Sequence, residues 1–137
     1  RGVGSAREAD QELAAQMPDL AIVELGANDM LRGVDPAIAE RNLDAMLAEF
    51  AKRDIPVVLA GMLAAPNLDP RYRAQFDGMY PRLAAKHGAT LYPFFLQGVV
   101  GNRSLILPDG VHPNFEGIKR VVTGILPTVQ RALAAER

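Results

Sequence analysis

The chain has 137 residues, 49% of them hydrophobic and 23% charged, with a net charge of -1, so it is long enough for one domain with a buried core. Positive and negative residues are mixed, without the basic stripe that a nucleic-acid footprint requires. No apolar run approaches a membrane-spanning length, no secretory leader is read at the start, and two histidines without cysteine argue against a structural zinc site and exclude disulfides.

In chain order, Ser5-Ala6-Arg7-Glu8 reads as a capping box that opens a helix from Ala9 to Met17, ended by Pro18-Asp19. Leu20 to Leu25 is a short apolar run, expected as a strand buried on both faces. Gly26 to Gly33 reads as a loop. Asp35-Pro36 pairs an N-cap with proline at the first helical position. The helix runs to about Arg53, with Ile38, Leu43, Met46, Leu47 and Phe50 on one face. Ile55 to Ala60 is a second strand and Gly61 to Asp69 a loop. Pro70 to His87 is a helix that Gly88 stops. Thr90 to Pro93 is a third strand, and Phe94 to Val100 is expected as a short helix. Asn114 caps a last helix to about Ala135, with a kink expected at Pro127. Strands alternating with helices imply a parallel sheet covered on both faces, in a single domain over 1–137. Sites in such sheets lie at the carboxyl ends of the strands.

Few residues can carry chemistry. Asn28 follows the first strand across Gly26; its amide suits an oxyanion, or it is a turn residue bonded locally. Asp109 and His112 stand three apart in a turn rich in Pro and Gly. They form either a carboxylate–imidazole pair for proton transfer or a loop cap beside a solvated histidine. His87, just before the helix-stopping Gly88, suits a structural role at the negative end of a helix dipole. The chain has two serines: Ser5 is accounted for as a helix cap, and Ser104 lacks a strand-to-helix turn that would expose a nucleophile. Met30, Leu31, Met62, Leu63 and Phe95 could line an acyl pocket at the sheet edge or be plain core. No acidic cluster suggests a metal.

Together, Val-Glu-Leu-Gly-Ala-Asn-Asp-Met-Leu-Arg-Gly from Val23 and, at long range, Pro-Asp-Gly-Val-His-Pro-Asn from Pro108 resemble the SGNH/GDSL hydrolase superfamily. The bacterial thioesterase I, lysophospholipase and arylesterase branch is most similar, and the Leu91–Phe95 run shares the likeness. The resemblance implies a flavodoxin-like three-layer α/β/α fold and hydrolysis of carboxylic esters or thioesters by a serine nucleophile. It implies Asn28 as an oxyanion-hole donor, His112 as base and Asp109 as its orienter. It implies a small acyl substrate and no metal or organic cofactor, and favours a periplasmic or secreted setting. The family's Gly-Asp-Ser-Leu block, which opens its first strand, and its second block with the oxyanion glycine have no counterpart here; Gly2 and Gly4 match the latter poorly. The expectation is therefore a hydrolase domain that lacks its N-terminal strand or strands, with no nucleophile in this chain and a complementing N-terminal segment elsewhere. The competing expectation is a non-catalytic remnant that binds a partner through its open sheet edge.

Overall fold

The computed structural model describes residues 18–136. Three parallel strands, β1 (Ala21–Val23), β2 (Val57–Ala60) and β3 (Thr90–Tyr92), form a sheet in the order β1-β2-β3 among the described residues. Ala21 stands beside Val57, and Val58 beside Thr90. The helices are α1 (Ala27–Leu31), α2 (Pro36–Lys52), α3 (Pro70–His87) and α4 (Phe115–Ala135), with one turn of 3-10 helix at Arg103–Leu105.

The long helices begin and end where local chemistry says they should. Asp35 accepts the Ala37 N–H at 2.9 Å and Asp69 accepts the Arg71 N–H at 2.7 Å. Each cap precedes a proline whose missing N–H costs the first turn nothing. Gly88, with φ 66°, closes α3. α4 starts on Asn114, which accepts the Gly117 N–H at 2.9 Å, and Pro127 does not end it.

Alternation along β2 divides the core. Val57 and Leu59 pack with Leu43, Leu47, Phe76, Met79, Tyr80 and Leu83 of α2 and α3. Val58 and Ala60 face the other way, onto Ile125 and Ala132 of α4. The result is the expected three-layer α/β/α arrangement. Burying each large side chain of the first group contributes roughly 1.5–3 kcal/mol.

Several expectations are corrected. The first strand is shorter than Leu20–Leu25 and is not buried on both faces. Ile22 shares a face with Val58, its register partner, yet is 51% exposed, because β1 is an edge strand among the described residues and α4 packs over β2 and β3. The Gly26–Gly33 segment holds the short helix α1. Ile38 is exposed and the smaller Ala39 takes the inward position. Residues 95–100 are turns, not a helix. The expected Ala9–Met17 helix and the Ser5 cap lie outside the described residues.

Candidate active site

Parallel strands put their carboxyl ends on one edge of the sheet. From β1 the chain turns at Gly26, whose φ of 112° is open to glycine and strained for other residues, and enters α1. Asn28 is the second residue of that helix, half-buried; its own carbonyl accepts the Arg32 N–H at 3.0 Å.

From β3 the chain stays attached to the central strand. Gly61 N–H donates to the Tyr92 carbonyl at 2.7 Å, and Phe95 N–H to the Gly61 carbonyl at 2.8 Å. Val99 and Leu105 then pack with Val121 of α4. Gly117 lets this helix lie directly on the segment: a Cβ there would sit 2.2 Å from the Leu105 carbonyl oxygen. Asn114 N–H donates to that same carbonyl at 2.9 Å, and the Asn114 amide donates to the Ser104 carbonyl at 2.8 Å. An antiparallel bridge between Ile106 and Pro113, and Leu107 N–H on the His112 carbonyl at 2.8 Å, close the loop. Asp109 lies at its tip.

There both oxygens of the Asp109 carboxylate are engaged. One oxygen accepts the N–H groups of Val111 at 2.9 Å and His112 at 3.0 Å; the other is 2.7 Å from His112 Nδ1. The His112 N–H first, then the imidazole and the Val111 N–H, pull the carboxyl down to about 2. Asp109 is therefore ionised at neutral pH and can only accept, so Nδ1 is the donor and carries the proton. In the neutral ring Nε2 then holds the lone pair that can take a proton from a nucleophile. The imidazole is 66% exposed, open to a substrate.

The structure thus brings Asp109 and His112 into contact. It puts Asn28 on a separate segment, in the short helix that follows the carboxyl end of β1. Ser104 is engaged in the turn: its hydroxyl donates to Asn102 at 2.6 Å and its N–H to the same oxygen at 3.1 Å. Met30 and Met62 are buried in the main core, whereas Leu31 and Leu63 are exposed. Among the described residues no group of His, Cys, Asp or Glu could hold a metal ion, and no helix is long and apolar enough to cross a membrane.

Sequence reasoning missed a second pair. His87 Nε2 lies 2.6 Å from Asp44 across the α2–α3 seam, and Lys86 reaches the same carboxylate at 2.9 Å. These contacts, His87 foremost, lower the Asp44 pKa. The pairing residue is 43 positions away, so no local pattern announces it. A groove lined by Ala37, Glu40, Arg41, Asp44, Arg82, Leu83 and Lys86 runs along this seam, and neither the Asn28 segment nor the Asp109–His112 loop contributes to it.

Residues 1–120 match the GDSL-like Lipase/Acylhydrolase family. Esterase TesA of Pseudomonas aeruginosa is 37% identical over 121 residues, which are 88% of this chain and 60% of that protein. Thioesterase 1/protease 1/lysophospholipase L1 of Escherichia coli is 33% identical over 102 residues, 74% of this chain and 49% of that protein. The crystal structure of AlinE4, described as a SGNH-hydrolase family esterase, superposes with a TM-score of 0.73 at 45% identity, covering 93% of this chain and 69% of that one. The chain spans about half to three fifths of the length of the curated relatives it matches. With the family match running over most of its length, and the three-layer fold in agreement, the chain belongs to the GDSL-like lipase/acylhydrolase family.

Proposed function

We propose that this domain supplies the base, its orienter and an oxyanion donor to a serine-dependent hydrolase of carboxylic esters or thioesters. The observation that carries the reading is the Asp109–His112 contact at 2.7 Å through Nδ1, which leaves Nε2 as the base. The serine is neither Ser104, which is bonded into its turn, nor Ser5, which reads as a helix cap, and so is supplied by another segment. Its hydroxyl oxygen attacks the acyl carbonyl while His112 Nε2 takes the proton. Asp109 stabilises the imidazolium, and the Asn28 amide donates to the tetrahedral oxyanion. The imidazolium then protonates the leaving oxygen or sulfur. Water attacks the acyl-serine with His112 again as base, releasing the acid and restoring the serine. No step needs a metal or an organic cofactor.

The exposure of β1 supports this reading of a nucleophile-bearing segment. Among the described residues β1 is the edge strand next to the Asn28 segment, and Ile22 is half-exposed on the α4 side. Ala21 N–H bonds toward β2, so the backbone N–H and C=O of Ile22 point outward, ready to pair with another strand.

The test is an organophosphonate that labels activated serines, with turnover of a short-chain aryl ester measured in parallel. The isolated 137-residue chain should take no adduct. The protein with its nucleophile-bearing segment should be labelled on that segment and should lose activity. Labelling of Ser5 or Ser104, or a folded and complete protein that cleaves no ester or thioester, defeats the reading.

A further inference from the structure

We propose that α3 clamps the Asn28 segment at both ends through two tyrosine hydroxyls, making Tyr80 and Tyr72 positioning residues for the oxyanion donor. The inference rests on the reading of Asn28 given above.

The segment needs such a support. α1 has only the residues Ala27–Leu31, and its N-cap, Gly26, offers no side chain to the first turn. A helix this short does not hold itself in water, since nucleation costs more than one turn returns. The catalytic amide would then wander by more than an oxyanion contact tolerates.

Tyr80, 1% exposed, donates its hydroxyl to the Leu25 carbonyl at 2.6 Å, just before Gly26. Tyr72 donates to the Val34 carbonyl at 2.7 Å, just after Gly33. Asn28 lies between these two anchors. Residues 72, 76 and 80 are one helical turn apart and share one face of α3. Their rings form a column: Tyr72 stacks near Phe76 at 6.3 Å, and Phe76 meets Tyr80 edge-on at 5.6 Å. The fit at Tyr80 is close enough that a Cβ at Gly26 would lie 2.3 Å from its hydroxyl oxygen. So the glycine serves two needs at once, a left-handed turn and room for the clamp. The same helix holds the loop after β2, where Asp77 accepts the Ala64 N–H at 2.7 Å. Burial first, and neighbouring carboxylates second, raise the pKa of both phenols, so they stay protonated donors.

The experiment compares kcat and KM for the wild type, Tyr80→Phe, Asn28→Ala and the double variant, in the protein with its nucleophile-bearing segment. Tyr80→Phe keeps the ring and the core. It should lower kcat about tenfold with KM within about twofold, because a shifted donor acts mainly on the transition state. Asn28→Ala should lower kcat about 100-fold or more, as loss of one oxyanion donor does. The double variant should be no slower than Asn28→Ala alone. Unchanged kcat in Tyr80→Phe, or its full loss repeated on the Asn28→Ala background, overturns the clamp while leaving the oxyanion role intact. Unchanged kcat in a folded Asn28→Ala refutes the oxyanion role itself and the clamp with it. Amide exchange gives a readout free of activity: Met30 and Val34, whose N–H groups bond Gly26 and Asp29, should exchange several-fold faster in Tyr80→Phe and Tyr72→Phe. Exchange no faster than in the wild type in both variants also overturns the clamp.

Discussion

This domain contains two aspartate–histidine pairs, and the shorter contact is not the one at the sheet edge. Asp44 and His87 meet at 2.6 Å between α2 and α3, with the histidine side chain only 12% exposed and Lys86 sharing the carboxylate. Asp109 and His112 meet at 2.7 Å on an open loop. The difference lies in which nitrogen is held and what the other faces. In the loop pair Nδ1 is engaged and the ring is exposed. In the seam pair Nε2 is engaged and the ring is packed away among helices. A short contact therefore marks good pairing, and it is the exposure of the loop ring that suits His112 to the role of base proposed for it.

The sharpest way to break this contrast is to remove each imidazole in turn. His112→Ala should reduce ester turnover by more than about 10⁴-fold, as loss of the base does in serine triads, with little change in melting temperature because the side chain is exposed. Asp109→Asn comes next. The amide oxygen can still accept the Val111 and His112 N–H groups, so the loop should keep its shape. The neutral group no longer holds the proton on Nδ1, and turnover should fall by about 10³–10⁴-fold. His87→Ala should do the reverse, leaving turnover within about twofold while lowering unfolding free energy by roughly 1–2 kcal/mol in denaturant titrations, as loss of a partly buried bond does. Equal loss of turnover from His87→Ala and His112→Ala would remove the distinction.

The smallest effect concerns acid. His87 and Lys86 lower the folded-state pKa of Asp44, so the pairing contributes in full above the ordinary carboxylate value of 3.8. The contribution is lost as pH falls through the lower, folded value. Asp44→Asn should therefore be less stable than wild type at pH 6, by about 1 kcal/mol or less for a partly exposed pair, and should converge with it as pH falls well below 3.8. Circular dichroism melts across that range would show it; a gap that widens on acidification would contradict the sign.

What could be read beforehand was local. Asp35-Pro36, Asp69-Pro70 and Gly88 announce helix limits because caps and turn glycines act over a few residues. Asp109 and His112 were readable for the same reason, since all the bonds that join them span three positions or fewer. The errors arose where a distant partner decides. Ile22 reads as core from its apolar neighbours, but its exposure depends on where α4 crosses the sheet. Residues 95–100 have the apolar content of a helix, but Phe95 is held by Gly61 and Val99 by Val121 and Leu105, which sets turns instead. Neither Tyr80 nor Asp44 carries a pattern that reveals a partner on another element.

The closure of the Ile106–Pro113 loop has a consequence in chain entropy. Its bridge, and the bonds that seat Asp109 against His112, join positions close in sequence, so little chain entropy is lost in making them. The anchors of the Asn28 segment reach across 38 and 55 positions, and they exist only once α3 has docked on β1. Closing a longer loop of chain costs more entropy, so these long-range anchors depend on the packing of the domain in a way the loop bonds do not. The Asp109–His112 contact is thus set by its own turn, whereas the placement of Asn28 depends on how α3 is seated against the segment that follows β1.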